Sequence, residues 1–175
     1  MATVVIPDPS LVLLVGAAGS GKSTLAARLF APDEIVSSDA LRAVVAGDEA
    51  DQTVSGVAFK ILHRTVERRL AEGRLTVVDA TNAAATLRRP LLQRARPHGV
   101  PTVAIVLDLD AGVVHAQNAS RARVVEPDVI DRHLAGIRQA VDGGGLASEG
   151  VDQVVLLREP VDVATLDLER RATRR

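Results

Sequence analysis

One segment of the chain, Gly16 to Thr24, combines the residue types that bind the phosphates of a nucleotide. It reads G-A-A-G-S-G-K-S-T and fits the pattern G-x-x-x-x-G-K-[ST] in full. Glycines let successive backbone N–H groups point at one anion, and a helix that starts after the loop adds the positive end of its dipole. In such a loop Lys22 reaches the β- and γ-phosphates, and the hydroxyl of Ser23 ligates Mg²⁺. The predicted nucleotide contacts are Gly16, Ala17, Ala18, Gly19, Ser20, Gly21, Lys22, Ser23 and Thr24.

A glycine-rich turn from strand to helix without a ligand is the alternative interpretation of this segment. The apolar run Leu11–Val15 before it predicts a strand buried in a parallel sheet, and Ser23–Phe30 after it predicts a helix. A phosphate loop requires this context, because it joins a strand to the N-terminus of a helix. The segment therefore favours a phosphotransferase that binds ATP, or another nucleoside triphosphate, together with Mg²⁺.

Asp39, in the segment V-S-S-D-A-L-R, is the candidate general base. It follows the predicted strand Glu34–Ser37, at the edge of the sheet where ligands bind, and a carboxylate there can accept the proton of an attacking hydroxyl. Arg42 lies three residues later on the same helix face and could hold an anion of the acceptor. A helix N-cap at Asp39, with a surface ion pair to Arg42, explains the same spacing equally well.

Asp79 is the candidate second residue of a magnesium site. It ends the apolar segment Leu75–Val78, and an acid in that position can hold Mg²⁺ directly or through water. The alternative is a turn from Asp79 to Asn82 in which the side chain bonds to its own backbone.

Two arginines, Arg121 and Arg123, lie between two predicted helices after the fourth predicted strand. Arginines in that position could close over the triphosphate as a lid and neutralise charge during transfer. A solvated basic loop is the alternative.

The elements that must position these residues alternate between strand and helix. The predicted strands are Leu11–Val15, Glu34–Ser37, Leu75–Val78, Val103–Leu109 and, as the last one, Val154–Leu157. The predicted helices are Ser23–Phe30, Asp39–Gly47, Val54–Ala71, Ala83–Ala95, Gly112–Ala119 and Asp128–Val141. Such alternation predicts an α/β fold of the P-loop NTPase type, a parallel sheet flanked by helices on both faces, with a helical lid. Gly143–Gly145 is expected to be a flexible turn.

Length and composition set the limits of this interpretation. The 175 residues suit a single domain, 1–175, with the lid at about 119–142 and an arginine-rich tail, 160–175, that frays at its end. There is no cysteine, which excludes disulfides and cysteine-ligated metals, and the net charge of −1 excludes a uniformly basic coat for nucleic acid. No apolar stretch approaches ~18 residues, so we expect no membrane partner and a soluble, cytoplasmic protein. The four histidines, His63, His98, His115 and His133, lack metal-ligand spacing and are expected to be surface or satisfied residues.

The motifs occur in an order that resembles a known family. They are G-A-A-G-S-G-K-S-T-L-A, I-V-S-S-D-A-L-R, D-E-A-D-Q-T-V-S-G-V-A-F, G-R-L-T-V-V-D-A-T-N and N-A-S-R-A-R. From about Leu11 to about Leu157 the chain resembles the 5′-kinase domain of bacterial polynucleotide kinase-phosphatase, an enzyme of RNA end repair. The resemblance implies transfer of the γ-phosphate of ATP, or of another NTP, to 5′-OH ends of RNA or DNA.

The same resemblance implies roles for individual residues. Asp39 would activate the 5′-OH, Arg42 would grip a phosphate of the acceptor, and Gln52 would lie near the terminal nucleoside. Either Arg121 or Arg123 would be the lid arginine, because the lid stretch is about one residue shorter than the family pattern. The family enzyme carries phosphatase and ligase-like domains after its kinase, so the resemblance leaves open a stand-alone kinase or a fragment, with a repair ligase or phosphatase as a possible partner.

Two other functions remain open at this stage. A small-molecule kinase, including a zeta-toxin-like kinase of sugar nucleotides, would share the phosphate loop and Asp39 but would not need Arg42. A non-catalytic ATP-binding module would bind nucleotide and turn it over negligibly. The sequence does not distinguish RNA from DNA as the acceptor.

Overall fold

The computed structural model describes residues 3–46 and 55–173. The strands are β1 (Thr3–Asp8), β2 (Leu11–Gly16), β3 (Ile35–Ser37), β4 (Thr76–Asp79), β5 (Thr102–Leu107), β6 (Gln153–Leu157) and β7 (Asp167–Ala172). The helices are α1 (Lys22–Leu29), α2 (Ser38–Ala46), α3 (Ser55–Ala71), α4 (Ala85–Ala95), α5 (Ala111–Ala119), α6 (Pro127–Val141), α7 (Gly145–Glu149) and α8 (Pro160–Thr165). Short 3₁₀ turns occupy Pro32–Glu34, Arg96–His98 and Asp142–Gly144.

Five strands form a parallel sheet in the spatial order β3-β4-β2-β5-β6. Every residue of β2 and β5 is buried, because helices cover both faces of the sheet. The predicted α/β fold with a parallel sheet between helices is confirmed. The carboxyl ends of β2, β3 and β4 lie side by side, so the segments that follow them meet at one edge.

Alternate side chains of β2 supply two separate hydrophobic cores. Leu13 and Val15 point to the face covered by α3, α4 and α6, where they pack in one cluster with Leu62 and Ile137. Leu14 points to the opposite face and packs with residues of α1. The central strand is thereby fixed from both sides, and so is the loop that leaves its end.

The C-terminal segment differs from the prediction. The expected tail, 160–175, contains α8 and β7, and β7 pairs in parallel with β1. The strand predicted as the last one, Val154–Leu157, is therefore followed by a further strand. Ile6 of β1 is fully buried and packs near Leu166, and Arg170 donates two hydrogen bonds, 2.6 and 2.8 Å long, to Glu34. The apolar contacts and the ion pair hold β1 and β7 against the rest of the fold.

The glycine segment after α6 also differs from the prediction. Instead of a flexible turn, Asp142–Gly144 forms a 3₁₀ turn in which Gly143 and Gly144 have φ values of 64° and 75°. Gly145 begins α7, whose Leu146 is buried in the larger core. Burial of that leucine fixes the turn in place.

The remaining predicted elements lie within two residues of the observed ones, except that the ends of α2 and α3 border residues outside the described ranges. The predicted helix end at Gly47 and the predicted acceptor contact Gln52 therefore lie outside the described residues. Among the described helices, none combines the length and the apolar character that a membrane crossing requires.

Candidate active site

The phosphate loop leaves the end of β2 and turns into α1, as its sequence predicts. Gly19 and Gly21 have φ values of 82° and 96°, a region that favours glycine. A Cβ on Gly19 would also lie 3.2 Å from the Cα of Asn118, so this position has no room for a side chain. The helix begins at Lys22 with Gly21 as its N-cap, which aims the first N–H groups of α1 at the space above the loop.

Lys22 is buried inside the loop. Its Nζ donates a 2.7 Å hydrogen bond to the carbonyl oxygen of Ala17, which leaves two further donors for phosphate oxygens. Burial lowers the pKa of Lys22 to about 8, with the positive charge of Arg121 acting in the same direction and the carboxylate of Asp79 opposing both. The fold thus brings Lys22, Asp79 and Arg121 close enough to interact electrostatically.

Asp79 lies where a magnesium ligand is expected. It ends β4, is buried, and stands beside Ser37 of β3 in the register of the sheet. Mg²⁺ is usually bound by one or two carboxylates together with phosphate oxygens and waters, so Asp79 and the Ser23 hydroxyl have the chemistry to hold the Mg²⁺ of a nucleotide. Within the described ranges, no three His, Asp or Glu side chains cluster to form a separate metal centre.

The turn after β4 is tied to the phosphate loop. Asn82, which has a φ of 46°, donates from Nδ2 to the carbonyl of Leu14 (2.8 Å), and the N–H of Gly16 donates to the carbonyl of Thr81 (3.0 Å). The two bonds fix the end of β4, and therefore Asp79, relative to the base of the loop.

Arg88 holds this turn from the other side. It is almost completely buried and donates from one nitrogen to the carbonyls of Asn82 (2.6 Å) and Ala83 (2.8 Å). Its other nitrogens form a bidentate pair with Glu149 of α7, at 2.8 and 2.6 Å. A buried guanidinium is tolerated here because each side of it meets an acceptor.

We expect Glu149→Ala to lower the free energy of unfolding by about 3–5 kcal/mol, because it leaves the Arg88 cation buried without its partner. Urea denaturation at neutral pH measures the change. Glu72→Ala is the matched control: Glu72 is about half exposed in its pair with Arg74, and such pairs contribute about 0–1 kcal/mol. A loss for Glu149→Ala no larger than that of the control would contradict this assignment.

Asp39 and Arg42 lie on the first turns of α2, directly after β3. The amide of Ala40 donates to the hydroxyl of Ser37 at 3.3 Å, so a serine takes the capping role that the sequence left open for Asp39. Arg42 donates a hydrogen bond from NH2 to Oδ1 of Asp39, which is the predicted ion pair. The pair is not a plain surface contact, because the Arg42 side chain is only 11% exposed while that of Asp39 is 49% exposed.

The two candidate lid arginines lie in the turn between α5 and α6. Asn118 fixes this turn, since its side chain donates to the carbonyl of Val125 (2.8 Å) and accepts from the amide of the same residue (3.0 Å). Arg121 borders the cavity above the phosphate loop. Arg123 borders the same cavity.

A single large cavity, about 1190 Å³, joins these groups. Lys22, Asp39, Arg42, Asp79, Arg121 and Arg123 all line it, as does most of the phosphate loop from Ala18 to Thr24. Its wall continues along Arg28 of α1 and Val163 of α8 on one face of the sheet, and along Phe59 of α3 and Val129 of α6 on the other. The cavity therefore has space for two ligands that meet at Lys22. Gly16 and Ala17 form the base of the loop below it.

His133 is a cavity residue that the sequence interpretation missed. Its Nδ1 accepts a hydrogen bond from the amide of Ala18 across 3.5 Å, although the sequence suggested only a surface or satisfied histidine. Helical periodicity could have indicated that His133 faces the protein interior. Ile130 and Ile137 are fully buried, and His133 lies three and four residues from them on the same face of α6. Arg88 and Asn82 were missed as well, since their partners Glu149 and Leu14 are distant in sequence. Asn118 was also missed, although its partner Val125 is nearby in the chain.

A parallel sheet with this phosphate loop and an acid at the end of the neighbouring strand defines a P-loop kinase-like domain. The chain matches the profile of the AAA domain family over residues 11–143 and belongs to that family. No curated protein matches it significantly.

Several solved structures share the fold at low sequence identity. A chain of the Pnkp1/Rnl/Hen1 RNA repair complex is 20% identical, with a TM-score of 0.65 over 76% of this chain. A gluconokinase from Sinorhizobium meliloti 1021 is 16% identical, with a TM-score of 0.56, over 91% of this chain and 87% of that one. A protein of the PezAT toxin-antitoxin system of Streptococcus pneumoniae is 16% identical, with a TM-score of 0.61, over 89% of this chain and 69% of that one. The chain spans only 45% of the repair-complex chain that it matches.

Proposed function

We propose that this protein is an ATP-dependent polynucleotide 5′-hydroxyl kinase, which transfers the γ-phosphate of ATP, or of another NTP, to 5′-OH ends of RNA or DNA. The observation that carries the proposal is the Asp39–Arg42 pair, which borders the same cavity as Lys22. A carboxylate can take the proton of an acceptor hydroxyl, and a largely buried cation can bind the phosphate next to it. The likeness to a chain of an RNA repair complex supports the same acceptor.

The transfer joins the acceptor oxygen to the γ-phosphorus while the bond from that phosphorus to the β,γ-bridging oxygen breaks, and ADP leaves. Asp39 orients the 5′-OH and takes its proton as the new bond forms. Its partly exposed carboxylate is accessible to a hydroxyl from the cavity. Transfer of this kind passes through a loose transition state, so the main task of the protein is to align the groups and to neutralise charge.

Neutralisation of the phosphate charge falls to groups around the loop. The backbone N–H groups of the loop and the ammonium of Lys22 bind the β- and γ-phosphates, and Arg121 or Arg123, which both border the same cavity, serves as the lid arginine. Ser23 and Asp79 would hold Mg²⁺, which would supply additional positive charge to the phosphate oxygens.

The acceptor side of the cavity suits the end of a polynucleotide. Arg42 can bind the phosphate that follows the terminal nucleoside, and Phe59 with Val129 offers an apolar surface for its base and sugar. Arginine contacts to phosphate and aliphatic packing do not read base edges, so we expect weak sequence preference and an acceptor affinity that falls with salt. Association with a repair ligase or phosphatase is part of this proposal.

A small-molecule kinase is the second candidate. The specific observation in its favour is that the likeness to the gluconokinase extends over more of both chains than the likeness to the repair protein. In that function Asp39 would keep its role, whereas a largely buried Arg42 would have no acceptor phosphate to bind.

The deciding experiment is transfer of labelled γ-phosphate from ATP with Mg²⁺ to a short 5′-OH RNA, to the matching DNA, and to a free nucleoside. We expect label on the oligonucleotides and much less on the nucleoside, which lacks the phosphate that Arg42 would bind. Label on neither oligonucleotide, from protein that still binds ATP, would reject the proposal and favour a small-molecule acceptor or a non-catalytic module.

Arg42→Ala separates the two kinase functions. We expect it to raise the KM for the oligonucleotide about 10- to 100-fold, the range for loss of a charge-assisted hydrogen bond, with a smaller change in the KM for ATP. Arg132→Ala is the matched control, because Arg132 is 70% exposed in its pair with Asp128. An unchanged KM for the oligonucleotide would return Arg42 to the role of a simple partner of Asp39.

A further inference from the structure

His133 lies at the phosphate loop, and the transfer described above does not use it. The residue belongs to α6, is half-buried, and borders the cavity. Its contact with the amide of Ala18 joins two elements that are 115 residues apart in sequence. The imidazole is thus held against the loop that binds the phosphates.

The position of this imidazole is set by the core. Ile130 and Ile137, on the same face of α6, are fully buried against the sheet. A Cβ on Gly136 would lie 2.9 Å from the carbonyl oxygen of Ala83, so α6 packs directly on the turn after β4. A helix packed so closely holds His133 at a fixed distance from the loop.

The contact with the amide of Ala18 favours one tautomer of the ring. A neutral imidazole that accepts at Nδ1 carries its proton on Nε2, which is then a donor. Burial lowers the pKa of His133, and the positive charges of Lys22 and Arg132 act in the same direction, so the surroundings favour the neutral ring. His133 and Lys22, whose ammonium reaches the β- and γ-phosphates in such a loop, line the same cavity.

We propose that His133 is a further active-site residue, which donates a hydrogen bond from Nε2 to the terminal phosphoryl group of the bound triphosphate. The inference rests on the proposed phosphoryl transfer and adds a residue that distinguishes a triphosphate from a diphosphate. No proton is transferred by the ring: it contributes a neutral donor that holds the γ-phosphate in line beside Lys22. Ala18 serves as the anchor that orients the ring.

Two substitutions separate this role from a purely structural one. In His133→Asn the side-chain oxygen can replace Nδ1 and accept from Ala18, but the donor at Nε2 is lost. In His133→Gln the amide nitrogen can approach the position of Nε2, while the bond to Ala18 is lost. Titration calorimetry with the β,γ-imido analogue of ATP and with ADP, each with Mg²⁺, measures the effect on both nucleotides.

We expect His133→Asn to weaken binding of the imido analogue about 10- to 100-fold, the range for a hydrogen bond to a charged group, and to leave ADP binding unchanged. His133→Gln should keep more of the preference for the triphosphate than His133→Asn. Unchanged ADP binding also shows that the variant is folded. Equal losses for both nucleotides, or no loss for the analogue, would overturn the proposal and leave His133 as a support of the loop.

Nitrogen-15 NMR of the ring tests the premise. Without nucleotide the ring should show the Nε2–H tautomer, and the Nδ1–H tautomer would overturn the proposal. On addition of nucleotide, the signal should shift more with the imido analogue than with ADP. Neither experiment contains an acceptor, so both remain valid if the protein proves not to phosphorylate 5′-OH ends.

Discussion

Replacing Asp39 by asparagine is expected to lower turnover of phosphoryl transfer by ~10²–10⁴, the range for loss of a general base, and to leave the affinity for Mg·ATP unchanged. The substitution is specific, because an asparagine oxygen can still accept the hydrogen bond that Arg42 donates to Oδ1. The geometry of the pair is kept and only the ability to take a proton is removed. Single-turnover transfer to a 5′-OH oligonucleotide measures the effect, and calorimetry measures nucleotide affinity.

Asp33→Asn is the control for the loss of one negative charge. Asp33 is 73% exposed, pairs with Arg74, and does not border the cavity, so its replacement should leave transfer and binding unaffected. If Asp39→Asn retains normal turnover, or loses nucleotide affinity as strongly as turnover, the assignment of Asp39 as the base is wrong.

The phosphate loop could be predicted from the sequence because its conformation depends on local residues. Gly19 and Gly21 adopt positive φ values that glycine favours, and the buried strand and the helix on either side are clear from composition. The edge of the sheet that carries the site follows from the alternation of strands and helices. These features need no knowledge of distant contacts.

Contacts between residues that are far apart in sequence account for most of the features that could not be predicted. The pairing of β1 with β7 joins the two ends of the chain, and β7 reads as a charged tail because most of its side chains are exposed. The sequence analysis considered Asp39 as a helix N-cap, but the hydroxyl of Ser37 takes that role. Serine and aspartate are both good N-cap residues, so residue type alone does not show which of them caps the helix. The buried position of Arg88 depends on Glu149, which lies 61 residues away. Packing decides each of these cases, and a single sequence records packing only indirectly.

Lys22→Met is expected to lower transfer by ~10²–10³ or more, because it removes the charged donor that contacts the β- and γ-phosphates throughout the reaction. Methionine has a similar length and no charge, so the loop keeps its packing. Transfer of labelled phosphate measures the loss, with Lys60→Met as the control, since Lys60 lies on α3 and does not border the cavity. Near-normal turnover in Lys22→Met would refute the assignment of the phosphate loop.

The same substitution should raise the stability of the protein free of nucleotide and metal. The pKa of Lys22 falls from 10.5 to about 8 in the folded state, so burial of the ammonium costs about 3 kcal/mol at neutral pH. Loss of the charge-assisted bond to the carbonyl of Ala17 costs about 1.5–3 kcal/mol. The N–H of Ser20 still donates to that carbonyl in the variant, so we expect the low end of this range and a net change that favours Lys22→Met. We expect a higher free energy of unfolding for the variant at pH 7, measured by urea denaturation with EDTA.

The dependence on pH identifies the cause of that gain. Between pH 8 and 10.5 the unfolded chain binds more protons at Lys22 than the folded one, so the wild-type protein gains stability as the pH rises through this window. Lys22→Met lacks this gain, and its advantage should shrink over the same range. The chain has no tyrosine and no cysteine, so few other groups titrate there. An advantage that stays constant with pH, or a variant less stable at pH 7, would show that Lys22 is not held as a buried cation, and the proposed charge balance of the site would fail with it.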